Sequence, residues 1–354
     1  MAHDIPRLRN ERLRLALSQE ELAERIGTTA SNVSRWEHGI TTPTPYFRRQ
    51  LCDLFKLAPE ELFPQATDES PFLSSLQIFH FNTDLGNAQE CFGRQREKTT
   101  LLARASKGEA TSIVGPRRIG KTWLMKYLKL IAPASPGVQM RVGYIDLTLP
   151  SCATLTGFTI EALRTLDMLT QTEREIETSP LIALERGVKT IRAKGQVPVL
   201  CIDEFEDFRR IDAFPAMALE HLRAIAQAGL GLVVASRQPL IALVEESMRS
   251  SPFFNIFRQM VLKPFTAQEA DDFARVKASE AGFSDMERMA LLNYSREKGS
   301  EAWFPLRMQL VGSLLLEDKL FAMQDGHDNY HPDRADYWEE FERRVEEIYR
   351  GAVR

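Results

Sequence analysis

An eight-residue segment, Gly-Pro-Arg-Arg-Ile-Gly-Lys-Thr at positions 115–122, constrains the fold of this chain more than any other feature. It fits the pattern G-x-x-x-x-G-K-[ST], whose glycines let backbone N–H groups surround a phosphate. An apolar run, Thr111–Val114, precedes the segment, and an apolar-faced helix is predicted over 121–132. The positive end of that helix dipole would face the phosphates. The segment therefore predicts a phosphate-binding loop between a buried strand and a helix.

Two residues that end this loop have defined chemical roles. Lys121 carries the charge expected to reach the β- and γ-phosphates, and the Thr122 hydroxyl is expected to hold Mg²⁺. The expected ligand is therefore ATP, or a closely related nucleoside triphosphate, with Mg²⁺. The predicted nucleotide contacts of the loop are Gly115, Pro116, Arg117, Arg118, Ile119, Gly120, Lys121 and Thr122.

Short apolar runs alternate with helical stretches between about residues 90 and 265. Such runs are typical of the buried strands of a parallel sheet. They are Thr111–Val114, Arg141–Leu147, Val197–Ile202, Leu230–Ala235 and Gln259–Leu262. The pattern predicts an α/β P-loop NTPase core, a parallel sheet with flanking helices, preceded by an all-α domain and followed by an α-helical lid.

Local composition suggests where these parts begin and end. Pro64 and Pro71 lie in a polar stretch typical of a linker. Two capping boxes, Thr266 with Glu269 and Ser284 with Glu287, mark helix starts in the lid. The predicted boundaries are 1–63 for the N-terminal domain, 64–89 for the linker, 90–265 for the core, 266–320 for the lid and 321–354 for a C-terminal helical extension.

Polar residues follow two of the predicted strands. Asp203 and Glu204 end the run Val199–Ile202, and Ser236 and Arg237 end the next strand. Because parallel strands place their carboxyl ends on the ligand side of a sheet, Asp203 is expected to bind Mg²⁺ and Glu204 to deprotonate the attacking water. Ser236 and Arg237 would sense the γ-phosphate. The alternatives are a solvated acidic turn and a helix-start serine beside a surface arginine.

These motifs together resemble the STAND/AAA+ group of P-loop ATPases, in particular its archaeal-ATPase and Orc/Cdc6-like branch, over residues 92–320. Besides the loop and the acidic strand end, Phe92-Gly93-Arg94-Gln-Arg-Glu97 is similar to the GRxxE segment of that family. The resemblance implies that Gly93 and Arg94 lie by the nucleotide base and that a helical lid covers the nucleotide. It also implies a lid contact at Pro305, although Ala302-Trp303-Phe304 lack the family's glycine. Arg249 and Arg258, before the fifth strand, are the candidates for an arginine finger, and the alternative is two ordinary surface arginines.

The N-terminal segment contains two short helices separated by a turn. Ser18 and Glu21 form a capping box, and Thr29 can cap the second helix, whose Val33 and Trp36 face inward. The outward side chains are Ala30, Ser31, Asn32 and Arg35. Asn and Arg are the side chains best shaped for adenine and guanine edges.

This segment resembles the helix-turn-helix of the lambda-repressor/Cro (XRE) family over residues 7–63. The resemblance implies that 29–37 is the recognition helix, with DNA contacts at Thr29, Ala30, Ser31, Asn32 and Arg35, and that Gln19 contacts a phosphate of double-stranded DNA. Segment 1–63 has nine Arg or Lys and nine Asp or Glu, so it is neutral. Counterion release is then limited, and one copy should bind weakly. The alternative is a helical module for protein contacts.

The remaining features exclude other classes. No stretch reaches the ~18 apolar residues of a membrane span, the start lacks the apolar core of a signal peptide, and the four cysteines form no CxxC pair. We therefore expect a cytoplasmic protein with reduced thiols. The apolar stripe of 333–354 is expected to pack on the lid or to dock a partner. Because no repeats are found, the input signal of a switch would come from a separate molecule or act on the lid itself.

These features favour a slowly hydrolysing ATP switch coupled to sequence-specific DNA binding, a transcriptional regulator whose homo-oligomeric state depends on nucleotide. One alternative is a DNA-remodelling or loader ATPase similar to Orc or transposition helpers. Another is a signalling or defence scaffold with an autoregulatory DNA-binding module.

Overall fold

The computed structural model describes residues 6–37, 43, 45–63, 77–135, 137–169, 173–210, 216–243, 253–297, 299, 302–325 and 330–353. The chain divides into two compact units. We call Asp84–Phe265 the sheet unit and the remainder, Met1–Thr83 with Thr266–Arg354, the helical unit.

Short helices form the N-terminal part of the helical unit. They are α1 (Pro6–Arg14), α2 (Gln19–Ile26), α3 (Ala30–Glu37), α4 (Pro45–Phe55) and α5 (Pro59–Leu62). The predicted capping box is present, because the Ser18 hydroxyl accepts from the Glu21 amide and the Glu21 carboxylate accepts from the Ser18 amide. Apolar side chains from these helices form one core around Leu22, Val33 and Phe47, and Trp36 is 4% exposed. The expected inward face of α3 is confirmed.

In the part of the chain that the structure describes, the sheet unit is built on five parallel strands. They are β1 (Thr111–Val114), β2 (Met140–Asp146), β3 (Val197–Asp203), β4 (Gly231–Ser236) and β5 (Arg258–Val261). Each agrees with a predicted apolar run to within one residue at either end. Their spatial order is β2-β3-β4-β1-β5, so β1 lies between β4 and β5. The carboxyl ends of β1, β3 and β4 therefore meet at one edge.

Helices flank these strands, as the α/β prediction requires. They are α6 (Gln95–Ala105), α7 (Lys121–Ile131), α8 (Leu155–Thr165), α9 (Glu173–Thr178), α10 (Pro180–Ala193) and α11 (Ala216–Gln227), with 3₁₀ turns at Ala88–Glu90, Ala132–Ala134, Pro150–Cys152, Phe205–Arg210, Leu240–Leu243 and Phe254–Ile256. Strands β3 and β4 are buried along their whole length, which explains why they read as continuous apolar runs.

Among its described residues, the C-terminal part of the helical unit contains four helices. They are α12 (Ala267–Ala281), α13 (Asp285–Tyr294), α14 (Pro305–Asp325) and α15 (Ala335–Val353). Both predicted capping boxes are present, at the starts of α12 and α13. Part of the predicted linker packs against the helices of this unit. Phe79 is buried, and its ring lies 5.9 Å from that of Phe283.

Helix α15 packs against α14, which was one of the two expectations for the C-terminal stripe. Arg344 donates to both carboxylate oxygens of Asp318 at 3.0 Å, and Arg307 donates to Glu346 at 2.7 Å. Phe341 and Val345 are fully buried. Over the described residues, no helix combines the length and apolar character that a bilayer crossing requires.

Candidate functional site

The loop at 115–120 connects β1 to the first turn of α7. A Cβ atom on Gly115 would lie 3.0 Å from the Ile119 side chain and 3.2 Å from the Leu262 carbonyl, so only glycine fits without displacement. Gly120 has a φ of 98° immediately before α7, a backbone conformation that other residues rarely adopt. The two glycines of the motif therefore have separate steric reasons, close approach at the first and a left-handed turn at the second.

Lys121 is held inside this loop. Its side chain is 6% exposed, and its ammonium donates to the backbone carbonyls of Gly115 at 2.9 Å and Pro116 at 3.0 Å. Burial lowers the pKa of Lys121, although the carboxylates of Glu204 and Asp203 act in the opposite direction. The loop therefore holds a cation at the start of α7, where the helix dipole also favours an anion.

Asp203 is the hydrogen-bonding centre of the site. It ends β3, is 2% exposed, and accepts hydrogen bonds at Oδ2 from Thr122 Oγ1 at 2.6 Å and from the Tyr144 phenol at 2.9 Å. Its Oδ1 accepts from the Glu204 amide at 2.9 Å. Burial raises the pKa of the Asp203 carboxyl, and these hydrogen bonds oppose that rise. The structure thus brings together the two predicted magnesium ligands, Thr122 and Asp203.

Glu204 has a φ of 47°, in the left-handed region that is strained for a residue with a side chain. Its carboxylate forms an ion pair with Arg237, whose Nη2 lies 3.3 Å from Glu204 Oε2. Arg237 also contacts Glu206, at 3.1 Å from its Nε and 3.3 Å from its backbone N–H. The arginine expected to sense a phosphate therefore lies between two carboxylates.

The side chains of Ser236 and Arg94 donate hydrogen bonds to backbone carbonyls, and no sequence pattern predicted these contacts. The Ser236 hydroxyl is buried and donates to the Gln238 carbonyl at 2.7 Å. Arg94, which follows Gly93, is 5% exposed, donates to the Ile119 carbonyl of the loop at 2.6 Å, and lies over the Phe265 ring at 5.3 Å. Both residues contribute to the local structure around the loop.

Six other predicted positions lie elsewhere on the loop, in other elements or outside the described residues. Pro116, Arg117 and Arg118 are exposed on the loop surface. Pro305 is the first residue of α14, in the helical unit. Arg258 is the first residue of β5, not a residue before it, and pairs with Glu109 at 3.1 Å, while Arg249 lies outside the described residues.

In the N-terminal helices, Thr29 caps α3 as predicted, since its hydroxyl accepts from the Asn32 amide at 3.3 Å. The Asn32 side chain is partly exposed and donates to the Thr28 hydroxyl at 3.1 Å. Ala30 begins α3 and is also partly exposed. The side chains of Ser31 and Arg35 lie outside the described part of the chain.

A buried ion pair fixes α1 to α3. Arg12 donates to both oxygens of the Glu37 carboxylate, at 2.6 and 3.0 Å, and Gln19 Nε2 donates to Glu37 Oε2 at 2.7 Å. Burial raises the pKa of Glu37, but the hydrogen bonds from Arg12 and Gln19 outweigh it, and the net shift is downward. Gln19, the predicted phosphate contact, therefore orients the predicted recognition helix as well.

The sequence matches two known families, one over the N-terminal helices and one over most of the sheet unit. Residues 7–63 match the family described as a helix-turn-helix domain, and residues 104–242 match the family described as an AAA domain. The chain joins a helix-turn-helix domain to an AAA domain. The predicted resemblances to a helix-turn-helix domain and to an AAA ATPase domain are confirmed. No curated protein matches the chain by sequence.

Solved structures share the fold of about three quarters of this chain. The Aeropyrum pernix ORC2 protein, in ADPNP–ADP complexes, is 17% identical with a TM-score of 0.57, over 75% of this chain and 71% of that chain. A Walker-type ATPase of Pyrococcus abyssi is 14% identical with a TM-score of 0.57, over 78% and 77%. Drosophila ORC bound to DNA is 14% identical with a TM-score of 0.50, over 78% and 66%. At these identities the likeness establishes an Orc/Cdc6-like fold.

The AAA domain contains oxygen ligands and a cation that fit a nucleotide with magnesium. Mg²⁺ prefers oxygen ligands and is usually bound by one or two carboxylates together with phosphate oxygens. Thr122 and Asp203 provide a hydroxyl and a buried carboxylate at the start of α7, next to the Lys121 ammonium. The loop offers the close backbone approach that a phosphate requires.

Sequence reasoning missed Tyr144 as a neighbour of this site. It lies inside β2, where the sequence shows only an alternating strand, and it is 59 residues from the carboxylate that it contacts. The pairing of Tyr144 with Cys201 in neighbouring strands is what brings its phenol to Asp203. Burial and the nearby Asp203 carboxylate raise the pKa of Tyr144, so the phenol remains a donor at neutral pH.

Proposed function

We propose that this chain is an ATP-binding, slowly hydrolysing switch that controls sequence-specific binding to double-stranded DNA, and that it regulates transcription. The coarse assignment, a DNA-associated ATPase, is supported by the helix-turn-helix and AAA domains within one chain. The finer assignment, a switch, is supported mainly by the environment of Glu204.

In this proposal each loop residue has a stated task. Lys121 and the backbone of 115–120 bind the phosphates of ATP, and Thr122 and Asp203 hold Mg²⁺. The metal would neutralise phosphate charge when bound. Glu204 accepts a proton from the attacking water. Gly93 and Arg94 support the loop and the base side of the nucleotide, Ser236 and Arg237 respond to the γ-phosphate, and Pro305 contributes from the lid.

The observation that carries the proposal is the ion pair between Arg237 and Glu204. Arg237 contacts one of the two oxygens of the Glu204 carboxylate, Oε2, and so restrains the proposed general base from reorienting toward an attacking water. Glu206 gives Arg237 a second anchor at 3.1 Å, which holds the arginine in place. This arrangement restrains the proposed base and so favours slower turnover, which suits a switch better than a motor.

The charge of the DNA-binding segment supports a role for paired copies. Residues 1–63 are neutral, so one helix-turn-helix gains little from counterion release. If ATP brings two copies together, their recognition helices can meet half-sites about 34 Å apart or a multiple of that. The second copy then binds at high effective concentration, which can add a factor of about 10²–10⁴ in avidity.

A DNA titration by fluorescence anisotropy, with mass measured by light scattering, tests this proposal. The DNA would be sequences first recovered with the protein from fragmented genomic DNA. At fixed salt, the Glu204→Gln variant with ATP should bind cooperatively as an oligomer, and the wild type with ADP should bind weakly. Lys121→Ala with ATP should behave like the ADP state.

Three results would contradict the switch. Equal affinity and equal mass in ATP and ADP would leave the helix-turn-helix as a constitutive tether. Turnover that rises strongly with DNA would favour a remodelling or loader ATPase instead. Recovery of the chain's own promoter alone, without any nucleotide effect, would favour a scaffold with an autoregulatory DNA-binding module.

A further inference from the structure

Asp203 is held by three donors that come from three different elements. Thr122 Oγ1, at the start of α7, and the Tyr144 phenol, on β2, both donate to Oδ2. The Glu204 amide, at the end of β3, donates to Oδ1. The phosphate-loop threonine and the acidic strand end are shared features of P-loop sites, whereas Tyr144 belongs to no motif in the sequence.

The phenol of Tyr144 is itself held in place. Strand pairing aligns Tyr144 with Cys201, two residues before Asp203. The Lys126 ammonium lies 4.8 Å from the centre of the tyrosine ring and forms an ion pair with Asp84 at 2.6 Å. A cation over an aromatic ring is attracted to its π electrons. The donor to Oδ2 is therefore held in place by strand pairing and by the contact with Lys126.

We propose that Tyr144 is a positioning residue that orients the Asp203 carboxylate for Mg²⁺. The inference rests on the proposed function, in which this site takes ATP with magnesium. The Tyr144 side chain bonds to Asp203 rather than to the loop, so it acts on the metal ligand and not on the phosphates. Outer hydrogen-bond partners of metal ligands typically change metal affinity by about 10–100-fold when they are removed.

The test separates nucleotide binding from magnesium binding in the full-length chain. A fluorescent ATP analogue labelled on the ribose is first titrated in EDTA, and MgCl₂ is then titrated into the complex. Tyr144→Phe removes the hydroxyl and keeps the ring under Lys126. It should bind the analogue in EDTA within about twofold of the wild type, and the Mg²⁺ concentration for half-saturation should rise about tenfold or more.

Tyr127→Phe is the matched control. Tyr127, on α7, also has a lysine ammonium over its ring at 4.8 Å, that of Lys98. Its hydroxyl should be dispensable for both titrations. Lys126→Met, which keeps the phenol and removes the charge above it, should raise the half-saturating Mg²⁺ concentration about twofold to fivefold. This second variant tests the same chain of contacts without touching Tyr144.

The possible failures are distinguishable. The proposed function and the role of Tyr144 are both contradicted if the wild type binds no nucleotide, or if it binds nucleotide without any dependence on Mg²⁺. If the wild type depends on Mg²⁺ and Tyr144→Phe has the same half-saturation, only the role of Tyr144 is overturned. An equal loss of affinity with and without Mg²⁺ would also overturn it, because the residue would then support the whole site rather than the metal.

Discussion

The guanidinium of Arg237 lies 3.3 Å from the carboxylate of Glu204, and the same arginine lies 3.1 Å from Glu206. The residues that directly follow β4 and β3, two neighbouring strands, are thus joined by an ion pair at one edge of the sheet. A movement of the proposed phosphate sensor therefore affects the proposed general base.

Glu204→Gln should preserve ATP binding and slow hydrolysis severely, because the amide has nearly the same shape as the carboxylate but cannot accept the proton. Phosphate release under single-turnover conditions measures the chemical step, and titration with a fluorescent nucleotide measures binding. Turnover at the wild-type rate would remove Glu204 from the mechanism.

Arg237→Met should raise basal turnover, since it releases Glu204 from its ion pair. The pair is partly exposed, so it contributes about 0.2–1 kcal/mol, which corresponds to at most about a fivefold change in rate. Steady-state phosphate release measures it. Arg258→Met is the control, because Arg258 also forms an exposed ion pair at 3.1 Å, with Glu109. A drop in turnover would show that Arg237 serves the reaction more than it restrains Glu204.

Lys121→Ala should nearly abolish nucleotide binding, because it removes the buried positive charge that faces the phosphates. The loop keeps the close approach at Gly115 and the left-handed turn at Gly120, but loses the hydrogen bonds from the ammonium to the Gly115 and Pro116 carbonyls. Calorimetric titration with ATP measures the affinity, and thermal melting checks that the variant folds. Unchanged affinity would refute the assignment of the phosphate loop.

Arg12→Met should destabilise the helix-turn-helix domain by about 3 kcal/mol, because it leaves the Glu37 carboxylate, whose side chain is 1% exposed, without its partner. Hydrogen exchange of α2 and α3 in the intact chain measures the loss. Arg14→Met is the control, because the Arg14–Glu11 pair has the same 2.6 Å distance but is exposed at Arg14 and should contribute little.

The same pair predicts a pH dependence. The pKa of Glu37 is lowered in the folded domain, so its stabilisation is fully present above the ordinary value of 4.5 and is lost as the pH falls through the lowered pKa. Protection of α3 in the wild type should therefore decrease in that acidic range. In Arg12→Met, the decrease attributable to Glu37 should disappear. An identical pH profile in both proteins would contradict this assignment.

Asn32→Ala and Arg35→Ala should each relax sequence preference, by about 1–3 kcal/mol for a lost bidentate base contact. Gln19→Ala should weaken binding evenly across sequences, as a phosphate contact would. Anisotropy titrations at fixed salt, against the recovered DNA and single-base substitutions of it, measure both effects. The reverse pattern, with Gln19 setting sequence preference, would place the recognition surface elsewhere on the domain.

The sequence by itself determined the parts of this protein that depend on neighbouring residues. The phosphate loop, the apolar strands and the capping boxes at Ser18, Thr266 and Ser284 follow from turn chemistry and hydrophobic periodicity, which act over a few residues. The helix-turn-helix was predictable for the same reason, since its caps and inward residues occupy fixed offsets along two short helices.

Only the tertiary structure decided which distant residues meet. The order β2-β3-β4-β1-β5 puts β1 beside β4 and β5, and no local pattern encodes that order. Tyr144 reaches Asp203 through strand pairing, Arg94 reaches Ile119 across 25 residues, and Arg12 reaches Glu37 across another 25. Each contact joins ordinary residue types in separate elements. Their partners are fixed by how the elements pack, because a side chain's hydrogen-bond partner depends on position in space and not on separation along the chain.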